Sequence, residues 1–134
     1  MSPKQHLTNC QLALRLWEAT PPESVAPGLR HYRCGTQACF GGHLATWPEF
    51  QAMGVSRRVE GSPAITDIGW SANVSAHLFG TPYLFVARQV DEEHGDYTQY
   101  RYPGAPLDDP EASDHEVITL RLKAQIRKLE KEQT

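Results

Sequence analysis

Residues 113–132, SDHEVITLRLKAQIRKLEKE, decide the fold class. Val117, Ile118, Leu122, Ile126 and Leu129 recur every three or four positions, the spacing that places apolar side chains on one face of an α-helix. Ser113 and Asp114 carry side-chain oxygens suited to an N-cap, so the helix is predicted to start there and run into the final lysines and glutamates. Arg121, Lys123, Arg127, Lys128 and Lys131 read as its polar face, cations being favourable toward a helix C-terminus. Other elements must complete a core over the apolar stripe.

The opposite end of the chain supplies one. Leu7, Cys10, Leu14 and Trp17 share a helical face widened by Ala13 and Leu16, and Ser2-Pro3 is a suitable start. TPPESVAPGL at 20–29 stops that helix, since proline removes backbone donors and clashes with a preceding turn. Thr36 can cap a second helix whose first turn is Gln37, Ala38 and Cys39, followed by His43, Leu44 and Trp47 and ended by Pro48. Gly41-Gly42 within it implies close approach of another backbone. Residues 54–66 read as irregular. Ile68, Ala72, Ser75 and Phe79 mark a third helix stopped by Gly80, and Thr81-Pro82 open a fourth carrying Leu84, Phe85 and Ala87 to Gln89.

The fold class that follows is mainly α: a single compact helical domain of about five helices with long loops, and room for a small β-hairpin in 55–66 or 94–103. Within 1–134, residues 7–90 form the helical core, 91–112 an acidic loop rich in tyrosine and proline, and 113–132 the C-terminal helix. A chain of 134 residues can bury a core without disulfides or a metal. Thirteen Lys and Arg against sixteen Asp and Glu give a formal charge of −3, so the general electrostatic pull toward nucleic acid or an anionic membrane is missing. There is no run of about 20 apolar residues for a membrane span and no apolar leader near the N-terminus. Three cysteines, an odd number, fit a reducing compartment better than a disulfide framework, and a cytoplasmic location is expected.

The densest chemistry lies in HYRCGTQACFGGH at 31–43. His31, Cys34, Cys39 and His43 are all ligand types that zinc accepts, with Cys39 and His43 one helical turn apart; Cys10 is an alternative fourth ligand to His31. Against zinc, the spacing is not that of a knuckle or ribbon, and so short a segment leaves little chain to wrap a tetrahedron. Read as catalysis, Cys39 in a first helical turn is a candidate thiolate nucleophile and His43 its base, but nothing in the sequence brings His77, His94 or Asp67 alongside as a third member. The remaining reading is a packed turn: Gly35 turns the chain, Thr36 caps, and the cysteines fill a tight spot against the first helix. That reading is favoured, with no cofactor; zinc is the alternative.

CGTQACFGGH resembles the C-G-T-x-x-C-x-x-G-H/W motif of small uncharacterised proteins found in bacteriophages, prophages and some bacteria. Cys34, Gly35, Thr36, Cys39, Gly42 and His43 match it, while Phe40-Gly41 departs from the commoner aliphatic-Ala pair. SAHLFGTPYLF at 75–85 is similar to a second region of those proteins, so the resemblance covers about residues 7–88. It implies a phage-type origin, hence the cytoplasm of a bacterial host cell, and no activity. Relatives with Trp at the position of His43 weaken the zinc reading there.

Outside the resemblance, residues 91–116 carry nine acidic residues and one basic residue, Arg101, with tyrosines at 97, 100 and 102. Charge runs are usually solvated surface, but tyrosine recurs at interface hot spots. Asp91, Glu92, Glu93, Asp96, Tyr97, Tyr100 and Tyr102 are therefore the candidate partner-binding residues. The expected function is that of a non-enzymatic accessory protein that binds a host protein, for instance inhibiting a nucleic-acid-binding defence complex of the CRISPR type. No direct nucleic-acid or membrane contact is expected. The C-terminal stripe also leaves room for a homodimer.

Overall fold

A computed structural model describes residues 1–21, 40–58, 62–70, 72–86, 89, 91, 102 and 104–134. The described chain is helical with one small sheet. Helix α1 spans Pro3–Glu18, α2 Phe40–Leu44, α3 Pro48–Gln51, α4 Ala72–Phe79 and α5 Asp114–Glu132, with a 3-10 helix at Pro82–Phe85. Strands β1 Val55–Arg57, β2 Pro63–Ile65 and β3 Gly69–Trp70 form an antiparallel sheet in the order β1-β2-β3.

Local chemistry sets the two long helices. Ser2 Oγ accepts a hydrogen bond from the backbone N–H of Gln5 at 3.2 Å, and Pro3 occupies a position where its missing N–H has no intrahelical partner to lose. Ser113 Oγ accepts from the N–H of Glu116 at 3.1 Å, and Asp114 and Glu116 place negative charge in the first turn of α5. The two helices pack against each other, and α4 lies against α1. Cys10, Ala13 and Trp17 from α1 meet Val117, Ile118, Leu122 and Leu129 from α5 in one hydrophobic cluster with Phe40, Phe50, Val74, Leu78 and Phe79. Gln133 Nε2 donates to Pro3 O at 3.0 Å and ties the chain ends together.

The sheet covers one edge of this cluster. Val55 pairs with Ile65 and Ile65 with Gly69, which turns Val55 and Ile65 toward the core; Ser56, Ala64 and Trp70 are in register on the outer face. Trp70 is half exposed there, with the Arg58 guanidinium 4.2 Å from its ring centre.

The small hairpin allowed for in 55–66 is present, as β1 and β2. Three expectations are corrected. The third helix begins at Ala72 rather than Ile68, because Asp67 with φ 68° and the turn closed by Ile68 N–H on Ile65 O lead into β3 instead. The fourth helix, expected to reach Gln89, is a 3-10 helix that stops at Phe85: Thr81 Oγ1 accepts from Tyr83 N–H at its start, and Val86 is extended. The carbonyls of Tyr83, Leu84 and Val86 accept hydrogen bonds from Arg121. Arg121, assigned to the polar face of the last helix, is 2% exposed and points into the protein. The Thr36 cap and the first turn through Cys39 lie outside the described residues; Pro48 begins α3 in the position favourable to proline.

Candidate functional site

The best-built polar cluster lies between α5, the 3-10 helix and residues 105–109. Arg121 Nη2 donates to Asp108 Oδ2 at 2.6 Å and Nε donates to Oδ1 at 3.1 Å, a bidentate pair. Nη1 donates to the carbonyls of Val86 at 2.8 Å and of Tyr83 and Leu84 at 3.2 Å each. The Tyr83 hydroxyl donates toward Asp108 Oδ1 at 3.0 Å and lies 3.1 Å from Pro106 O, while the Tyr83 ring stacks 4.4 Å below the guanidinium. Gln89 N–H donates to Asp108 Oδ2 at 2.7 Å. Burial pushes the Asp108 carboxyl up, but the Arg121 hydrogen bonds and charge, joined by Gln89 and Tyr83, outweigh it and hold the pKa below the ordinary carboxylate value.

This pair also fixes the neighbouring chain. Asp108 N–H donates to Gln89 O at 2.8 Å, so residues 89 and 108 are bonded reciprocally through both backbone and side chain. Gln89 Nε2 donates to Asp91 O, and Tyr102 packs edge-on to Tyr83 at 6.5 Å with Lys128 Nζ 5.0 Å from its ring. Both ends of the acidic tyrosine segment are thus fastened to the helical core. Of the predicted partner-binding residues, Asp91 and Tyr102 sit at these fastened ends, each partly exposed. Glu92, Glu93, Asp96, Tyr97 and Tyr100 lie outside the described residues.

Beside the ion pair is a shallow cleft enclosing about 20 Å³, lined by Tyr83, Pro106, Leu107, Asp109, Val117 and Leu120 among others. Leu107 and Leu120 are 43% and 53% exposed at its mouth.

Of the cysteine and histidine cluster, only His43 is described; His31, Cys34 and Cys39 lie outside the described residues. His43 sits on α2 with its ring 5.7 Å from that of Trp17, and its buried Nε2 meets no hydrogen-bond partner among the described residues. Trp17 is held on its other side by His115, stacked at 4.7 Å, and by reciprocal bonds: Trp17 Nε1 donates to His115 O at 3.0 Å and His115 Nε2 to Trp17 O at 2.8 Å. Cys10, the alternative ligand, is fully buried, its thiol 3.9 Å from Phe79 O, and burial pushes its pKa up to about 12. A thiol so disposed behaves as a core residue rather than a thiolate ligand. Among the described residues there is no group of three or more His, Cys, Asp or Glu placed to hold a metal, and no helix long and apolar enough to cross a membrane.

The ion pair was not anticipated from the sequence, although a signal for Arg121 existed. It falls four residues after Val117 and three after Ile118, inside the apolar stripe, where a cation must be paired if buried. Asp108 carried no such mark, since Leu107-Asp108-Asp109-Pro110 does not distinguish its two aspartates. Comparison with protein-family models, curated proteins and solved structures finds no match to this chain.

Proposed function

We propose that the protein is a non-enzymatic binding protein, a phage or prophage accessory protein, whose acidic tyrosine-bearing segment docks onto a basic surface of a bacterial host protein. A nucleic-acid-binding defence complex is the kind of target that offers such a surface. The observation that carries this reading is the fastening of Gln89 to Asp108 over the buried Arg121 pair. A binding segment anchored at both ends on a rigid scaffold loses less conformational freedom on binding than a free tail. The sequence between those ends concentrates negative charge and tyrosine, which favour fast association with a cationic partner and hot-spot contacts. The test is a pull-down from host lysate with wild type and with a variant carrying Asp91→Asn, Glu92→Gln, Glu93→Gln and Asp96→Asn. Specific partners should be lost from the variant; recovery of the same partners would reject the reading.

A second reading is supported by Nε2 of His43, buried and meeting no hydrogen-bond partner among the described residues, because an unpaired buried imidazole nitrogen is costly. In this reading the protein is a small zinc-stabilised module in which His43 joins Cys34, Cys39 and His31. About one zinc per chain by elemental mass spectrometry, lost together with thermal stability in Cys39→Ser, is the expected result. A metal-free wild type that loses stability on the same substitution would reject it.

A further inference from the structure

The outer face of α5 carries a pattern that the core does not use. Val117, Ile118, Leu122 and Leu129 are buried, and Leu120, 53% exposed, is the large apolar side chain of this helix turned to solvent. Ser113, Glu116, Leu120, Lys123, Arg127 and Glu130 are all exposed and follow one another at intervals of 3, 4, 3, 4 and 3 residues, which puts them on a single helical stripe about 26 Å long. Leu107, 43% exposed across the cleft from Leu120, widens the apolar centre of the stripe. Lys123, Arg127 and Glu130 have no ion pair among the described residues, and the Glu116 carboxylate is met there by Ser113 Oγ, which donates to its Oε1 at 3.4 Å.

The order of intervals reads the same in both directions. A twofold axis midway between Leu120 and Lys123 therefore lays this stripe antiparallel on the same stripe of a second chain with every position matched. The matched chemistry is complementary at each level. Glu116 meets Arg127 of the second copy, and Arg127 meets its Glu116, so the contact is closed on both sides by opposite charges. Leu120 lies on the methylene stem of the second copy's Lys123, whose ammonium reaches past it to water, and the two leucines stand about 4.5 Å apart along the helix direction. Glu130 falls beside Ser113, the N-cap of the other α5, where the helix dipole favours a carboxylate. A parallel arrangement instead sets Glu116 on Glu116 and Arg127 on Arg127, and like charges oppose it. We infer that the outer face of α5 docks a second copy of this chain as an antiparallel, twofold-symmetric pair, with Glu116 on Arg127 across the axis. The inference stands apart from the partner-binding reading above, which uses a different segment. With one leucine from each chain at its centre the interface belongs at the small end of specific interfaces, and a dissociation constant on the order of 10–100 μM is expected.

The test is sedimentation equilibrium of the full chain. From about 5 to 500 μM in low salt the wild type should show a reversible monomer–dimer equilibrium, weakened severalfold by added salt. Glu116→Arg and Arg127→Glu each bring like charges together across the twofold, and each should weaken dimerisation about tenfold or more. Mixed in equal amounts, the two variants should associate with each other to within about threefold of the wild-type affinity, because each supplies the charge that the other lacks; the chain carrying both substitutions should dimerise equally well. This rescue separates the register from damage to the fold, since two misfolded chains would not restore each other. Leu120→Asp should weaken the dimer about tenfold while leaving the melting temperature in place. A wild type that stays monomeric throughout the range overturns the inference. So do single charge reversals that dimerise as the wild type does, or a mixture and a double variant that both remain monomeric.

Discussion

Arg121 satisfies more groups than any other described side chain, bonding a carboxylate and three backbone carbonyls while stacking on Tyr83. Removing one member of such a pair leaves the other charged, dry and unmatched, which costs far more than the net value of the pair. Arg121→Met should therefore lower unfolding free energy by about 3–5 kcal/mol in urea titration. Adding Asp108→Leu should recover only part of that loss, because the Leu84 and Val86 carbonyls and the Gln89 N–H lose the partners that the pair supplied. A recovery to wild-type stability would show those groups rehydrated at little cost. The same pair sets a pH dependence. The folded carboxyl of Asp108 titrates below its unfolded value near pH 4, so its stabilising contribution is complete above about pH 4 and is lost as pH falls toward the lower folded pKa. Thermal melts from pH 6 downward should show the wild type losing stability below about pH 4 more steeply than Asp108→Asn, which starts lower and has no proton to take up at that site. Parallel curves would mean that other carboxylates carry the acid transition.

At the scale of elements, the joint between α4 and the 3-10 helix is the most constrained. Ser75 Oγ donates to Thr81 O at 2.5 Å and accepts from Leu84 N–H at 3.4 Å, so one hydroxyl folds the chain back on itself. Gly80 between them has φ +79°, and a Cβ there would stand 2.8 Å from His6 Nδ1. His6 in turn donates from Nε2 to His77 O at 3.0 Å, a contact that docks α1 on α4. Gly80→Ala must both hold a left-handed conformation and displace that ring, and about 1–2 kcal/mol of stability should be lost. A shift of the His6 ring signals, read by NMR, distinguishes this from backbone strain alone. The long helices α1 and α5 were legible in the sequence because their caps and apolar stripes are local properties that a single segment carries. The sheet was legible only as room for a hairpin in 55–66, and β3 not at all, since each strand is two or three residues long and exists only through pairing with the others. The 3-10 helix was misread for the same kind of reason: its surroundings include a guanidinium from α5, far away in sequence, bonded to three carbonyls of residues 83–86. The acidic segment was visible as composition, yet its fastening depends on Asp108 and Arg121, whose roles follow from tertiary contacts alone.

For the molecule as a whole, the consequential feature is that the chain is fastened to the framework both before and after residues 92–101. Among the described residues, the core cluster is assembled from α1, α2, α3, α4, the sheet, the 3-10 helix and α5. The chain on either side of that stretch is secured by contacts that do not involve it: Gln89 to Asp108, Tyr102 to Tyr83, and Ala105 N–H to Tyr102 O at 3.0 Å. Stability and partner binding should then be separable. Replacing residues 92–101 with a Gly/Ser run of equal length leaves the closure length unchanged, so the loop-closure entropy is altered little, while greater flexibility in the unfolded chain costs at most a few tenths of a kcal/mol per added glycine. The expected outcome is a melting temperature within a few degrees of wild type and an unchanged tryptophan fluorescence spectrum, with host capture lost. A large fall in melting temperature would instead place that stretch within the cooperative unit, and the tyrosines at 97 and 100 would then be packing residues rather than contacts held ready for a partner.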